Sequence, residues 1–250
     1  MKQSDFEAYI EELFGKEKLT NRGADFGFSA QCPADIKRVG YCTNLTPDTA
    51  AQAVQSGVDM ILTHHEPWDE IMGWHAECTA ALQRNGIGHF FIHPALDDAE
   101  FGTGASFLRK IGVEVAESSN PCGVFHWGRI GLLDRAASLE KLVSIIEERI
   151  GEKVKAWKNH ERLIRRIAVV PGAAHNPAEI KDVVENGKCD VYMTGEKLIY
   201  TVLYARYAGI NLIVASHTFT EFFGVESLAF KIRKHFPKIE LVHIEEEHIE

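Results

Sequence analysis

The sequence predicts an α/β protein made of two pseudo-symmetric, three-layer-like lobes, each built on a largely parallel sheet. Three observations predict it. Short apolar runs alternate with amphipathic segments along the chain, the pattern of strands joined by helical crossovers. The order of segments in the first half returns in the second. Small details return with it, since Asp59 stands four residues before Thr63 at one strand end and Asp190 stands four before Thr194 at another.

Each element has its own local reason. "MKQSDFEAYIEELFGK" (1–16) is an acidic amphipathic helix pattern and lacks the form of a signal peptide. "RVGYCTN" (38–44) reads as a strand, and "TPDTAAQAVQSG" (46–57) as a helix capped by Thr46, with Pro47 in its first position and Gly57 ending it. "VDMILTHH" is the next strand, "HAECTAALQRNG" a helix, "IGHFFIHPALD" a strand and "GTGASFLRKIG" a helix. The stretch from roughly 113 to 165 holds the strand-like "GVFHWGRIGLL" and the helix "SLEKLVSIIEERIG", so it is a structured connection and not a flexible linker. Then "RIAVVPG" reads as a strand, "NPAEIKDVVENG" as a helix capped by Asn176, and "CDVYMTGE" as a strand. The helix "KLIYTVLYARYAG", the strand "INLIVASH", the helix "TEFFGVESLAFKIRKHF" and the strand "KIELVHI" complete the chain. This pattern places one lobe at 1–118 and the other at 119–250, with the C-terminal segment able to pack on the first.

Composition excludes several function classes. With 250 residues, 45% of them hydrophobic and 25% charged, the chain can bury a sizeable core. No apolar run approaches the roughly 18 residues of a membrane span, and a cytoplasmic protein is expected. A formal net charge of -9 argues against general nucleic-acid binding, whose affinity comes from clustered Lys and Arg. Cys32, Cys42, Cys78, Cys122 and Cys189 lie far apart and are odd in number, which fits isolated thiols better than a disulfide framework or a thiolate metal cluster. The tail "HIEEEHIE" reads as a solubilising end.

Ligand sites of parallel α/β sheets gather at the carboxyl ends of the strands. His64, His65, His93 and His217 all fall at predicted strand ends, and Asp97 and Glu221 each follow a strand-end histidine by four residues. Adjacent residues of an ideal strand point to opposite faces. The pair His64 and His65 therefore calls for two ions, or for a bend at Glu66-Pro67. Mixed nitrogen and oxygen donors suit Zn²⁺, Mn²⁺, Fe²⁺ or Ni²⁺, and two ions sharing a carboxylate would lie about 3.5–4 Å apart. By contrast His75, His89, His126, His160, His175 and His243 each stand alone and read as hydrogen-bonded structural residues. Glu196 has two readings: a general base or substrate contact facing the same centre, or a glutamate favoured near a helix N-terminus. "VVPGAAHNP" lacks the spacing of a P-loop or dinucleotide fingerprint.

The segments "ILTHHEPWD", "HPALDDAEFG", "CDVYMTGE" and "SHTFTEFFGV" resemble the signature blocks of the NIF-three-like dinuclear metal-centre family, whose members are labelled GTP cyclohydrolase I type 2 homologues. The resemblance runs from about residue 1 to 245. It implies a homohexameric ring and two divalent metal ions per chain in a cleft between the lobes. By match to the family, His64, His65, Asp97, His217 and Glu221 would hold the metals, and His93 would sit beside them to move protons. Glu66 departs from the family, which usually has glycine there, and so is a candidate extra ligand or base. The turn "FGTGAS" and the N-terminal block "NRGADFGFSA" also depart. The implied function is a metal-dependent hydrolase using a metal-bound water on a small nucleotide or pterin-like substrate, with Glu66, His93 and Glu196 managing protons. A non-enzymatic metal-binding or regulatory ring, and a purely structural metal site, remain the alternatives.

Overall fold

The computed structural model describes residues 1–20, 25–68, 70–117 and 128–249. The chain divides into two compact units, Met1–Ala99 with Val225–Ile249, and Glu100–Gly224. The boundary expected at 118/119, the first part of "GVFHWGRIGLL" with His126, Cys122, and the first four residues of the "NRGADFGFSA" block lie outside the described residues.

The first unit holds α1 (Gln3–Phe14), α2 (Lys16–Thr20), β1 (Phe26–Ala30), β2 (Arg38–Tyr41), α3 (Pro47–Gln55), β3 (Met60–Thr63), α4 (Trp74–Arg84), β4 (Gly88–Ile92) and the short α5 (Pro94–Asp97). The second holds α6 (Thr103–Lys110), β5 (Glu114–Glu117), β6 (Arg129–Ala137), α7 (Leu139–Ile150), β7 (Lys155–Trp157), β8 (Ile164–Val170) and α8 (Pro177–Asp182), which runs into a π-helical turn at Val183–Gly187. It continues with β9 (Val191–Thr194), α9 (Ile199–Ala208) and β10 (Asn211–Val214). Helix α10 (His217–His235) begins in the second unit and ends in the first, where β11 (Glu240–His243) follows.

The predicted caps form as the residue chemistry requires. Thr46 accepts from the backbone N–H of Thr49 with Pro47 at the first helical position, and Asn176 accepts from Ala178. Such caps satisfy N–H groups that have no intrahelical partner. On α1 the buried residues are Phe6, Ile10 and Phe14, one stripe at a spacing of four. Phe6 packs edge-on against Phe28 and Phe90, with ring centres 5.7 and 4.8 Å away, which seats the helix on β1 and β4.

In the first unit a five-stranded sheet runs β1-β4-β3-β2-β11, all parallel except β1, which pairs antiparallel with β4. The second unit has a six-stranded sheet, β5-β6-β8-β9-β10-β7. Here only β8, β9 and β10 are mutually parallel, while β5, β6 and β7 add antiparallel pairings on either side. The short strands β1, β5 and β7 escape sequence reading; each lies at a sheet edge and pairs with one neighbour only, whereas the edge strand β11 carries its own apolar run and is read. Among the described residues no helix is long and apolar enough to cross a membrane.

The recurring Asp and Thr have matching work. Asp59 Oδ2 accepts the backbone N–H groups of Lys37 and Arg38 at 2.7 and 2.8 Å, and Asp190 Oδ2 accepts those of Arg165 and Arg166 at 2.8 and 3.0 Å. Each carboxylate thus ties the start of the middle strand to the start of its parallel neighbour. At the other end the buried Thr63 donates to the His65 carbonyl at 2.6 Å, and the buried Thr194 donates to the Gly172 carbonyl at 3.1 Å. These hydroxyls close the strand ends from which the site residues project.

Candidate metal centre

In the first unit β3 stops at Thr63, and the backbone N–H groups of both His64 and His65 turn onto one acceptor, the Thr43 carbonyl, at 2.9 and 3.0 Å. Two successive N–H groups cannot reach one oxygen from a regular strand, whose N–H groups alternate in direction. The chain therefore leaves the strand at the histidine pair itself, earlier than the Glu66-Pro67 bend that the sequence offered as one of two alternatives. The two imidazoles end side by side, with ring centres 4.5 Å apart.

Both rings have their tautomer set. The Nδ1–H of His64 donates to the Ile92 carbonyl at 2.9 Å, and that of His65 donates to Asn44 Oδ1 at 2.8 Å. A carbonyl oxygen only accepts, so in each neutral ring Nδ1 carries the hydrogen and Nε2 keeps its lone pair. His64 Nε2 lies 3.4 Å from Asp97 Oδ1, and both residues are buried. Asp97 is brought there by β4 ending at Ile92 and by the single turn of α5, which starts with Pro94 immediately after His93.

His93 completes the cluster. Its ring centre is 4.8 Å from that of His64 and 4.9 Å from that of His65, while its Nδ1 bonds Asp25 Oδ2 at 2.7 Å. One ligand atom from each of His64, His65 and His93 lies within 4.8 Å of the others. Beside His65 and His93 opens a cavity of about 250 Å³, walled also by Asp25, Glu66, Trp68 and Phe91. Glu66 thus faces open space next to the histidines, where a reacting molecule would have access, and its Oε2 is 4.0 Å from His75 Nε2.

The second unit builds its donors on the start of α10. Ser216 caps the helix, its hydroxyl accepting from Phe219 N–H at 3.4 Å, and Ser216 is itself held by the buried Glu152 through hydroxyl and backbone N–H. His217 is therefore the first residue of a helix and not the end of a strand. Glu221, one turn later, brings Oε2 to 3.2 Å from His217 Nε2, and Glu196 brings Oε1 to 2.6 Å from His217 Nδ1. Burial opposes charge on this imidazole, but Glu221 and then Glu196 override it and pull the ring up to about 10. The group is a locus that attracts positive charge.

Glu196 occupies the place in its unit that His65 occupies in the first. The N–H groups of Gly195 and Glu196 both turn onto the Gly172 carbonyl at 3.0 Å, repeating the turn that His64 and His65 make on Thr43. Glu196 stands ahead of α9, outside the helix, and spends its carboxylate on orienting His217.

Several contributors were not legible from their local sequence. Gly172, in the "VVPGAAHNP" turn, has φ +66°, and a Cβ there would collide with Glu221 Oε1 and come within 3.1 Å of His217 Nε2. Gly195 is a second such cradle, where a Cβ would lie 2.7 Å from the Cα of His217. Asn44 and Asp25 each hold a histidine through its ring nitrogen, as does Glu196, which the sequence did single out. Glu246, from the tail read as solubilising, instead folds back and accepts three N–H groups at Thr43 and Asn44, so that reading is corrected.

Metal donors are thus present in both units: the buried imidazoles of His64 and His65 with their Nε2 lone pairs, the buried carboxylates of Asp97 and Glu221, His217 beside Glu221, and glycines whose missing side chains leave room. Thiols play no part among the described residues. Cys32, Cys42, Cys78 and Cys189 form no disulfide with one another, and burial first, then nearby carboxylates, raise Cys32 to about 12 and Cys78 to about 11. The donor chemistry fits divalent ions of the N/O-preferring class.

Known proteins resemble this chain over nearly its whole length. A family model described as Duf34/NIF3 (NGG1p interacting factor 3) matches residues 1–249. A Pyrococcus horikoshii protein named GTP cyclohydrolase 1 type 2 homolog is 24% identical over 245 residues, covering 94% of this chain and 95% of the relative. One of the same name from Neisseria meningitidis serogroup B is 30% identical over 212 residues, covering 82% of each. Among solved structures, the protein ybgI, titled as of unknown function, superposes with a TM-score of 0.86 at 21% identity over 99% of both chains. Reduced HcgD from Methanocaldococcus jannaschii superposes with a TM-score of 0.81 at 23% identity over 98% of both. At such identities these two structures establish the fold alone.

Proposed function

The chain belongs to the Duf34/NIF3 family, and from that premise we propose that it is a dinuclear metal-dependent hydrolase acting on a nucleotide or pterin-like small molecule. The supporting observation is the pair of adjacent imidazoles, His64 and His65, whose Nδ1 hydrogens are already committed to Ile92 and Asn44. His64, His65, Asp97, His217 and Glu221 would hold two ions of the Zn²⁺, Fe²⁺, Mn²⁺ or Ni²⁺ type. When bound, such ions activate a water and polarise the scissile bond.

The chain's own residues would do the rest. His93, fixed by Asp25, lines the cavity beside His65, placed to take or return a proton at its second ring nitrogen. Glu66, on the same cavity wall, would orient the substrate or accept a proton from it. Glu196 would hold His217 in one orientation through Nδ1. Trp68 and Phe91 offer flat apolar surface to a ring-bearing substrate. We extend the proposal to a cytoplasmic homohexamer, which light scattering on the purified chain would test.

Elemental analysis of untagged protein tests the reading directly. About two ions per chain, lost in Glu221→Gln, support it and justify screening GTP, phosphoesters and cyclic amides. No bound metal after anaerobic supply of Fe²⁺, Mn²⁺ and Zn²⁺ overturns it. Two ions without turnover of any such compound would favour a non-enzymatic, metal-handling role.

A further inference from the structure

We propose that Glu246, acting through Asn44, is a positioning residue that sets the tautomer of His65; its consequence for metal affinity rests on the reading of His65 as a ligand. The parallel register of β11 on β2, with His243 opposite Tyr41 and Ile244 N–H on the Tyr41 carbonyl, carries the following residues over Thr43 and Asn44. There Glu246 Oε2 accepts Thr43 N–H at 2.6 Å, and Oε1 accepts the backbone and side-chain N–H groups of Asn44 at 3.0 and 2.9 Å.

A carboxylate without a proton can only accept. The Asn44 amide must therefore turn its NH₂ toward Glu246, and this leaves its oxygen facing His65 Nδ1 at 2.8 Å. The oxygen in turn demands a hydrogen on Nδ1, so the lone pair of the neutral ring is kept at Nε2. Were the amide reversed, its NH₂ would need a lone pair on Nδ1, and the hydrogen would move to Nε2 and block it as a ligand.

The two histidines differ in this respect. His64 is set by a backbone carbonyl, which no side-chain substitution removes. His65 depends on two side chains 202 positions apart in sequence. Asn44 is buried, so water is poorly placed to substitute for either.

The test is ¹⁵N NMR of the histidine rings in the full-length, metal-free protein, with His65 assigned by its loss in His65→Gln, followed by Mn²⁺ and Zn²⁺ titration. The wild type is expected to show His65 in the Nδ1–H form. Asn44→Leu and Glu246→Ala are expected to lose that single form and to weaken metal binding about 10- to 100-fold. Folding of each variant is checked by thermal unfolding. An Nε2–H form in the wild type, or a folded single variant with unchanged tautomer, overturns the proposal. A wild type that binds no metal but responds in the NMR test supports the relay and sinks the metal reading.

Discussion

Gly172 lies so close to Glu221 that no side chain fits between them: a Cβ at position 172 would fall on the Glu221 carboxylate. The backbone there also has φ +66°, a region that side-chain-bearing residues adopt only at a cost. Gly172→Ala is therefore expected to lower stability by roughly 1–3 kcal/mol and to displace Glu221. Thermal unfolding together with metal titration checks both; an Ala variant with wild-type metal affinity would show that Glu221 tolerates displacement or is no ligand.

Asp59 and Asp190 repeat one job, each accepting two backbone N–H groups from a neighbouring strand. Replacing either by Ala leaves two N–H groups without that acceptor, with an expected loss of about 1–3 kcal/mol. Urea denaturation of the two single variants should give similar losses. A large effect at one site and none at the other would mean that the repeat is one of sequence only.

His89 is buried between Ser29 and Thr63 and held neutral, with burial first and His75 second lowering it to about 3. Its value in the unfolded chain is about 6.5. Because the folded value is the lower one, its stabilising effect is complete above pH ~6.5 and is lost as pH falls toward 3, since the unfolded chain takes up a proton that the folded one refuses. The slope is about 1.4 kcal/mol per pH unit. Between pH 7 and pH 5, His89→Gln should remove about 2 kcal/mol of this acid sensitivity. Denaturation curves at the two pH values decide it, and identical pH dependence in variant and wild type would refute it.

His93 shares a cluster with His64 and His65 but spends Nδ1 on Asp25. Read as a proton carrier beside the metals, it can be removed without emptying them. His93→Ala should keep its metal content while Asp25→Asn behaves likewise. Loss of an ion from His93→Ala would promote it from proton carrier to ligand.

Much was legible in the sequence because it is written locally. Alternating apolar runs and helix caps such as Thr46 and Asn176 announce the strands and helices through short-range hydrogen bonding and burial, and the end of the apolar run before His64 and His65 announces that pair, whereas His217, expected at a strand end, opens a helix instead. The short edge strands β1, β5 and β7 were not legible, because their pairing depends on a partner distant in the chain. The same holds for the site. Types of donor could be read from His64, His65, Asp97, His217 and Glu221, since an imidazole or carboxylate has its chemistry wherever it lies.

Which nitrogen each ring offers was decided only by tertiary structure. The Ile92 carbonyl, the Asn44 amide and the Glu196 carboxylate reach their histidines across 28, 21 and 21 residues of sequence. Glu246 shows the limit most plainly. As one acidic residue in an acidic tail it carries no local signal, and only the register of β11 on β2 turns it from a solvated charge into the acceptor that orients Asn44. Composition and periodicity determine what a segment becomes; the direction of a hydrogen bond is decided by which group the folded chain brings to face it.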